Sequence, residues 1–183
     1  MSGAADEQPP LRRIFFALWP DDATRASLVR ATRNAVRLSG GRPIAKDRLH
    51  VTVAFLGGIT ATQLETVRAV APVVVGAFDL TLDLLGVWPQ TRALWVAGRD
   101  VPQSLMDLEE ELWARLAPRG FGREDRVYRP HLTLARRARL VEEQIEPVQW
   151  RVTELALVES LPDGRNVHYE VLERWPLGTD GQS

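Results

Sequence analysis

The chain has 183 residues, a net charge of −1 and 45% hydrophobic residues, the profile of a soluble globular protein built as one domain or as two lobes sharing a core. No apolar run approaches the ~20 residues that span a bilayer, and the small, polar, acidic start lacks a signal-peptide core, so a cytoplasmic location is expected. With no cysteine, disulfides, thiolate metal sites and cysteine nucleophiles are excluded.

Residues 1–11 and 178–183 are expected to be disordered tails around a single bilobal unit at 12–177. Residues 13–18 (Arg-Ile-Phe-Phe-Ala-Leu) predict a buried first strand. Asp21 or Asp22 can cap a helix whose apolar face is Leu28, Ala31, Ala35 and Leu38, ended by Gly40 and Gly41. Residues 42–47 read as a loop, and 50–56 as a strand stopped by Gly57 and Gly58. Thr62 and Glu65 have capping-box spacing. They open a second helix with Leu64, Val67, Ala71 and Val74 on one face, kinked or shortened at Pro72. Residues 79–87 and 93–97 predict two antiparallel strands around a turn at 89–92. Leu105, Leu108, Leu112 and Leu116 mark a third, amphipathic helix. A strand at 131–135 follows, then strands near 150–160 and 167–174 joined by a turn at Pro162-Asp163-Gly164. About seven strands and three helices in mixed order predict an α+β fold rather than a doubly wound one.

Two segments repeat one pattern: Leu49-His50-Val51-Thr52-Val53 and Pro130-His131-Leu132-Thr133-Leu134. Of three histidines, two stand in these matching frames, 81 residues apart (131 − 50). Residues i and i+2 of a strand share a face, so each segment presents an imidazole beside a hydroxyl. Two such strands facing one cleft surround a single small anion, which points to a pseudo-repeat with one His-x-Thr strand per half. His168 has no such frame and reads as structural or surface. All the basic residues except Lys46 are arginine, and eight arginines lie between Arg115 and Arg139, around the second motif. Arginine's planar fork suits phosphate.

Cleaving a phosphodiester needs a base for the attacking oxygen and an acid for the leaving oxygen. Histidine serves either role near neutrality, and threonine hydroxyls with an arginine can hold the non-bridging oxygens. Two histidines without a carboxylate cluster make a poor zinc site, so neither metal nor cofactor is expected. Phe15, Phe16 and Trp95 are candidate rings for a base to stack on. The same residues also fit a non-catalytic module that grips RNA ends, or a generic α+β interaction protein.

The paired motifs, the opening residues 13–18, the extended His50–Gly57 segment, Arg92-Ala-Leu-Trp-Val, Pro130–Arg136 and the closing Tyr169–Trp175 resemble the two-histidine (2H) phosphoesterase superfamily, in its LigT-like branch of RNA 2′,3′-cyclic phosphodiesterases. The resemblance covers residues 12–177. It implies a bilobal α+β fold of pseudo-duplicated antiparallel sheets, with helices outside and a central cleft carrying both motifs. It also implies hydrolysis of a terminal 2′,3′-cyclic phosphate to a 2′-phosphate, with 2′–5′ RNA ligation as a reverse reaction. By this resemblance His50 is the general acid, His131 the general base, and Thr52, Thr133 and Arg136 bind the substrate phosphate. Strict strand alternation, however, puts Arg136 on the face opposite His131. Expected partners are RNA ends or small cyclic-phosphate nucleotides, acted on by a monomer. The same site could instead take a 2′,5′-linked oligonucleotide or an ADP-ribose cyclic phosphate.

Overall fold

The first apolar run is hydrophobic on both faces and becomes a central strand. In the computed structural model, which describes residues 10–70, 73–164 and 166–178, it forms β1 (Arg12–Leu18), with Ile14–Leu18 all buried. Asp21 then caps α1 (Asp22–Ser39) by accepting the Thr24 N–H at 2.7 Å, and Gly40 ends it at φ 63°. Leu28 and Ala35 are buried as expected, but Leu38 at the end of the face is exposed. The loop expected at 42–47 contains a short β2 (Arg42–Pro43) and leads to a 3-10 turn, Lys46–Arg48. The first motif strand, β3 (Val51–Ile59), runs through the two glycines that were expected to stop it. Gly57, at φ 74°, makes a bulge there instead, because the β1 partners jump from Gly57 to Phe55.

α2 (Ala61–Val70) is capped two residues earlier than the sequence pattern suggested. Thr60 Oγ1 accepts the Gln63 N–H at 3.2 Å and Gln63 Oε1 accepts the Thr60 N–H at 2.9 Å, a reciprocal capping box. The kink expected at Pro72 and the tails expected at 1–9 and 179–183 lie outside the described residues. Two strands then replace the one expected at 79–87: β4 (Phe78–Leu82) and β5 (Leu84–Trp88), broken only at Asp83. β6 (Ala93–Ala97) and α3 (Gln103–Leu116) follow as expected, with Leu105, Leu108, Leu112 and Leu116 all fully buried. After the second motif strand, β7 (Leu132–Arg136), the single strand expected near 150–160 is again two: β8 (Val148–Val152) and β9 (Glu154–Asp163), broken only at Thr153. The last strand is β10 (Asn166–Pro176).

The two breaks have one cause. β4 and β8 pair with each other as a separate two-stranded sheet, burying Phe78, Leu80 and Leu82 against Val152, Trp150 and Val148. After one residue each chain crosses into the main sheet, β5 beside β6 and β9 beside β1. The main sheet has eight strands in the order β10-β9-β1-β3-β7-β6-β5, with β2 also paired to β7. All its pairings are antiparallel, so the fold is α+β as expected. The two lobes are halves of this one sheet rather than independent sheets. Their helices are exchanged: α1 follows β1 of one half yet packs on β7 and β8, while α3 follows β6 of the other half and packs on β3.

A single ladder pair, Val51 opposite Leu132, joins the halves through β3 and β7. Both side chains are fully buried. Leu132→Ala therefore cuts a core side chain at the seam, and we expect a loss of about 2–5 kcal/mol in urea unfolding. Arg33→Ala, on the exposed face of α1, should change stability by less than about 0.5 kcal/mol.

Candidate active site

Because Val51 and Leu132 turn into the core, their neighbours His50, Thr52, His131 and Thr133 turn to the other face. All four line one cleft of about 480 Å³ at the seam. Extending the antiparallel register of Val51 and Leu132 by one residue each way sets His50 across from Thr133, and Thr52 across from His131. The sequence repeat thus becomes a pseudo-twofold quartet: two imidazoles and two hydroxyls, each imidazole facing the other motif's threonine.

Each ring is held by the same bond. His50 Nδ1 lies 2.7 Å from the Arg48 carbonyl oxygen, and His131 Nδ1 lies 2.8 Å from that of Arg129. A carbonyl only accepts, so Nδ1 carries the hydrogen in both rings and Nε2 is left for chemistry. The carbonyls are fixed by different means. Arg48 belongs to the 3-10 turn, whose backbone bonds run from Arg48 N–H to Ala45 O at 2.9 Å and from Leu49 N–H to Lys46 O at 3.4 Å. Arg129 lies in the irregular segment between α3 and β7. There the hydroxyl of the adjacent, half-buried Tyr128 donates to the Thr52 carbonyl at 3.0 Å and ties the second motif to the first. Arg123 anchors the same segment to the buried Glu109 of α3 at 2.7 Å. The carbonyl partners are not visible in the sequence, since a backbone oxygen leaves no side-chain signature.

The half-sites differ in what surrounds the rings. Trp19 stacks on His50 at 5.3 Å and 15°, Phe15 lies at 5.1 Å, and Tyr169 meets it edge-on at 5.1 Å. This enclosure removes water from the ring and pushes its pKa down from 6.5 to about 4; the Arg48 carbonyl opposes the shift, and the positive charges of His131 and Arg136 add to it. His131 is flanked by Trp88, edge-on at 5.5 Å, and by Trp95 at 6.5 Å. Gly86, paired with Trp95, makes room for that indole: a Cβ there would come within 2.1 Å of the ring. Of the three expected stacking rings, Phe15 and Trp95 border the histidines. Phe16 does not; it is fully buried in the main core against Trp175, because β1 sends alternate residues to opposite faces. His168 is exposed on β10, as expected, and is not part of the cleft lining.

Arg136 does line the cleft, and a bulge explains how. β6 residues Leu94 and Trp95 pair with Ala135 and Thr133, so β7 carries one extra residue. Leu134 and Ala135 are both buried, and Arg136 emerges on the face of Thr133. The first motif does the same. Phe16 and Ala17 pair with Ala54 and Thr52, Val53 and Ala54 are both buried, and Phe55 emerges into the cleft with the Arg13 guanidinium 4.8 Å from its ring centre. Arg136 and Phe55 are therefore equivalent positions, one cationic and one aromatic. Among the described residues, five arginines and no Asp or Glu line the cleft, which makes it a site suited to anions.

The family model of the 2′-5′ RNA ligase superfamily matches residues 20–164. An RNA 2′,3′-cyclic phosphodiesterase of Escherichia coli is 32% identical over 170 residues, which are 91% of this chain and 97% of that relative. A relative of the same description from Thermus thermophilus is 30% identical over 180 residues, covering 90% of each chain. Among solved structures, E. coli LigT complexed with 3′-AMP is similar with a TM-score of 0.84 at 30% identity, over 91% of this chain and 98% of that one.

The state of His50 is directly measurable. In the free protein its ring resonances should titrate with a midpoint of about 4, and saturation with sulfate, an anion that does not itself titrate here, should raise that midpoint. The sign for stability follows from linkage. The folded pKa lies below the unfolded one, so this contribution is complete above pH ~6.5 and is lost as pH falls toward the folded value. A midpoint of 6.5 or more without anion would contradict the enclosure described above.

Proposed function

Because the chain belongs to the 2′-5′ RNA ligase superfamily, we propose that it hydrolyses the terminal 2′,3′-cyclic phosphate of RNA to a 2′-phosphate, with His50 as acid and His131 as base. The observation that carries this is the pair of matching Nδ1–carbonyl bonds, which leave two Nε2 atoms for one cleft. His131 Nε2 takes a proton from water as its oxygen attacks phosphorus. Protonated His50 Nε2 delivers its proton to O3′ as the P–O3′ bond breaks, leaving a 3′-hydroxyl and a 2′-phosphate.

The asymmetry of the rings supports this division. The His131 bond lies on the exposed side, where water arrives, whereas that of His50 is partly buried. A neutral, enclosed His50 becomes charged when an anion sits against it, so the acid is armed by the substrate's own phosphate. Thr52, Thr133 and Arg136 hold the non-bridging oxygens and offset the charge that develops on them. A 5′-hydroxyl replacing water would attack the same phosphorus as the P–O3′ bond breaks and be joined through a 2′,5′ linkage by the same acid and base, which gives the ligase activity.

In this proposal residues 12–177 act as one bilobal unit, a monomer in the cytoplasm, on RNA ends or small cyclic-phosphate nucleotides without metal or cofactor. No helix among the described residues is long and apolar enough to cross a membrane. The test is turnover of a short RNA ending in a 2′,3′-cyclic phosphate, in EDTA. Wild type should yield only the 2′-phosphate, and His50→Ala and His131→Ala should each lose about 10²–10⁴-fold in kcat. Thr52→Val and Thr133→Val should lose about 10²–10³-fold at most. An intact cyclic end, a 3′-phosphate product, or variants as active as wild type would contradict the assignment.

A further inference from the structure

The cleft carries more positive charge than its reacting group needs. A cyclic phosphodiester bears one negative charge, and in the proposed mechanism the quartet of histidines and threonines, with Arg136, already serves it. Yet five arginines line the same cleft: Arg13, Arg42, Arg48, Arg136 and Arg137. Elsewhere among the described residues nine arginines sit in ion pairs, but none of these five pairs with a carboxylate there. Arg13 lies over Phe55 and Arg48 bonds the Val167 carbonyl. Arg42, Arg136 and Arg137 have no acidic partner at all among the described residues.

Those three are brought together by local structure. Arg42 stands directly opposite Arg136 in the β2–β7 ladder, a like-charge pairing that destabilises a sheet unless an anion offsets it. Arg136 and Arg137 are consecutive, and both line the cleft, which a continuing strand forbids. The strand is broken by Arg137 itself, at φ 57°. Only one other non-glycine residue among those described has positive φ: Arg92, at 52°. The two hold each other, with Arg92 Nη2 donating to the Arg137 carbonyl at 3.2 Å and the Ala138 N–H donating to the Arg92 carbonyl at 2.9 Å. Gly41 closes the other side, where a Cβ would meet the Arg136 carbonyl oxygen at 3.0 Å. Backbone strain of this kind is kept where the surroundings over-determine it, and it concentrates at binding sites.

Building on the phosphodiesterase assignment, we propose that Arg42 and Arg137, on either side of Arg136, form a second phosphate subsite, which binds a backbone phosphodiester of an oligonucleotide while its cyclic end lies between the histidines and is held by Arg136. The substrate class is then a polyanionic RNA chain, and a mononucleoside cyclic phosphate leaves Arg42 and Arg137 without an anion. Phe55, the equivalent of Arg136 in the other half-site, has no charge, so the run of cationic side chains lies on the β2–β7 side alone.

The test compares two dinucleotides ending in a 2′,3′-cyclic phosphate, one with a natural internal phosphodiester and one with an uncharged methylphosphonate in its place. Sugars, bases and length are the same, so the ratio of kcat/KM reads the internal charge. We expect wild type to favour the natural dinucleotide at least tenfold. In Arg42→Ala/Arg137→Ala the ratio should fall to near one, and the log–log salt dependence should flatten by about 0.7 for the one phosphate lost. Alanine keeps the Cβ at position 137, so the left-handed backbone is strained alike in both proteins. A wild-type ratio near one, or a ratio unchanged in the variant, overturns the subsite. If neither dinucleotide is turned over, the phosphodiesterase assignment fails on its own, and calorimetry with the two corresponding 2′-phosphate products decides the subsite by the same ratio.

Discussion

The two half-sheets meet at one ladder pair, Val51 opposite Leu132, and the placement of every cleft side chain depends on that contact. A longer seam would flatten the halves into a continuous sheet with no cleft, and no seam would leave the two motifs unrelated. One buried apolar pair sets the register, and a one-residue slip of either strand would turn that strand's histidine and threonine into the core. The exchanged helices reinforce the seam, since each half's following helix packs against the other half. Opening the cleft would therefore break helix packing on both sides.

From this register the chemistry follows in steps. Alternation brings the four motif side chains to one face. The i−2 carbonyls of Arg48 and Arg129 fix which nitrogen of each ring is free. Bulges after each threonine bring a further pair of positions, Phe55 and Arg136, back to the cleft. Symmetry ends at the identity of the residues. One half offers rings around its imidazole and an aromatic at the bulge; the other offers an indole pair and a run of guanidiniums with no acidic partner among the described residues. A symmetric frame thereby holds two imidazoles in different surroundings.

Much of this was legible in the sequence because it depends on local periodicity. The β1 run, the Asp21 cap, the leucine face of α3 and the two His-x-Thr frames all declare themselves within a few residues. The rest depends on distant partners. Asp83 and Thr153 break their strands because β4 and β8 leave the main sheet to pair with each other, and no glycine or proline marks either point. Strict alternation puts Arg136 on the wrong face because the bulge that moves it is defined against β6. Thr62 and Glu65 have the right spacing for a cap, but the helix starts one residue before Thr62 and Thr60 takes the role. Tyr128 and the arginines of the cleft are surface-type residues by composition, and only their convergence in three dimensions distinguishes them.

The central claim is that two imidazoles, one on each side of the seam, act as acid and base on one phosphate. The pH dependence of kcat/KM on a 2′,3′-cyclic phosphate-ended RNA, measured from pH 4 to 9 for wild type and for each histidine variant, tests it most directly. The account predicts a bell for wild type, with the residual activity of each variant losing one limb. A flat wild-type profile from pH 5 to 8, or a bell that survives replacement of either histidine, would contradict it.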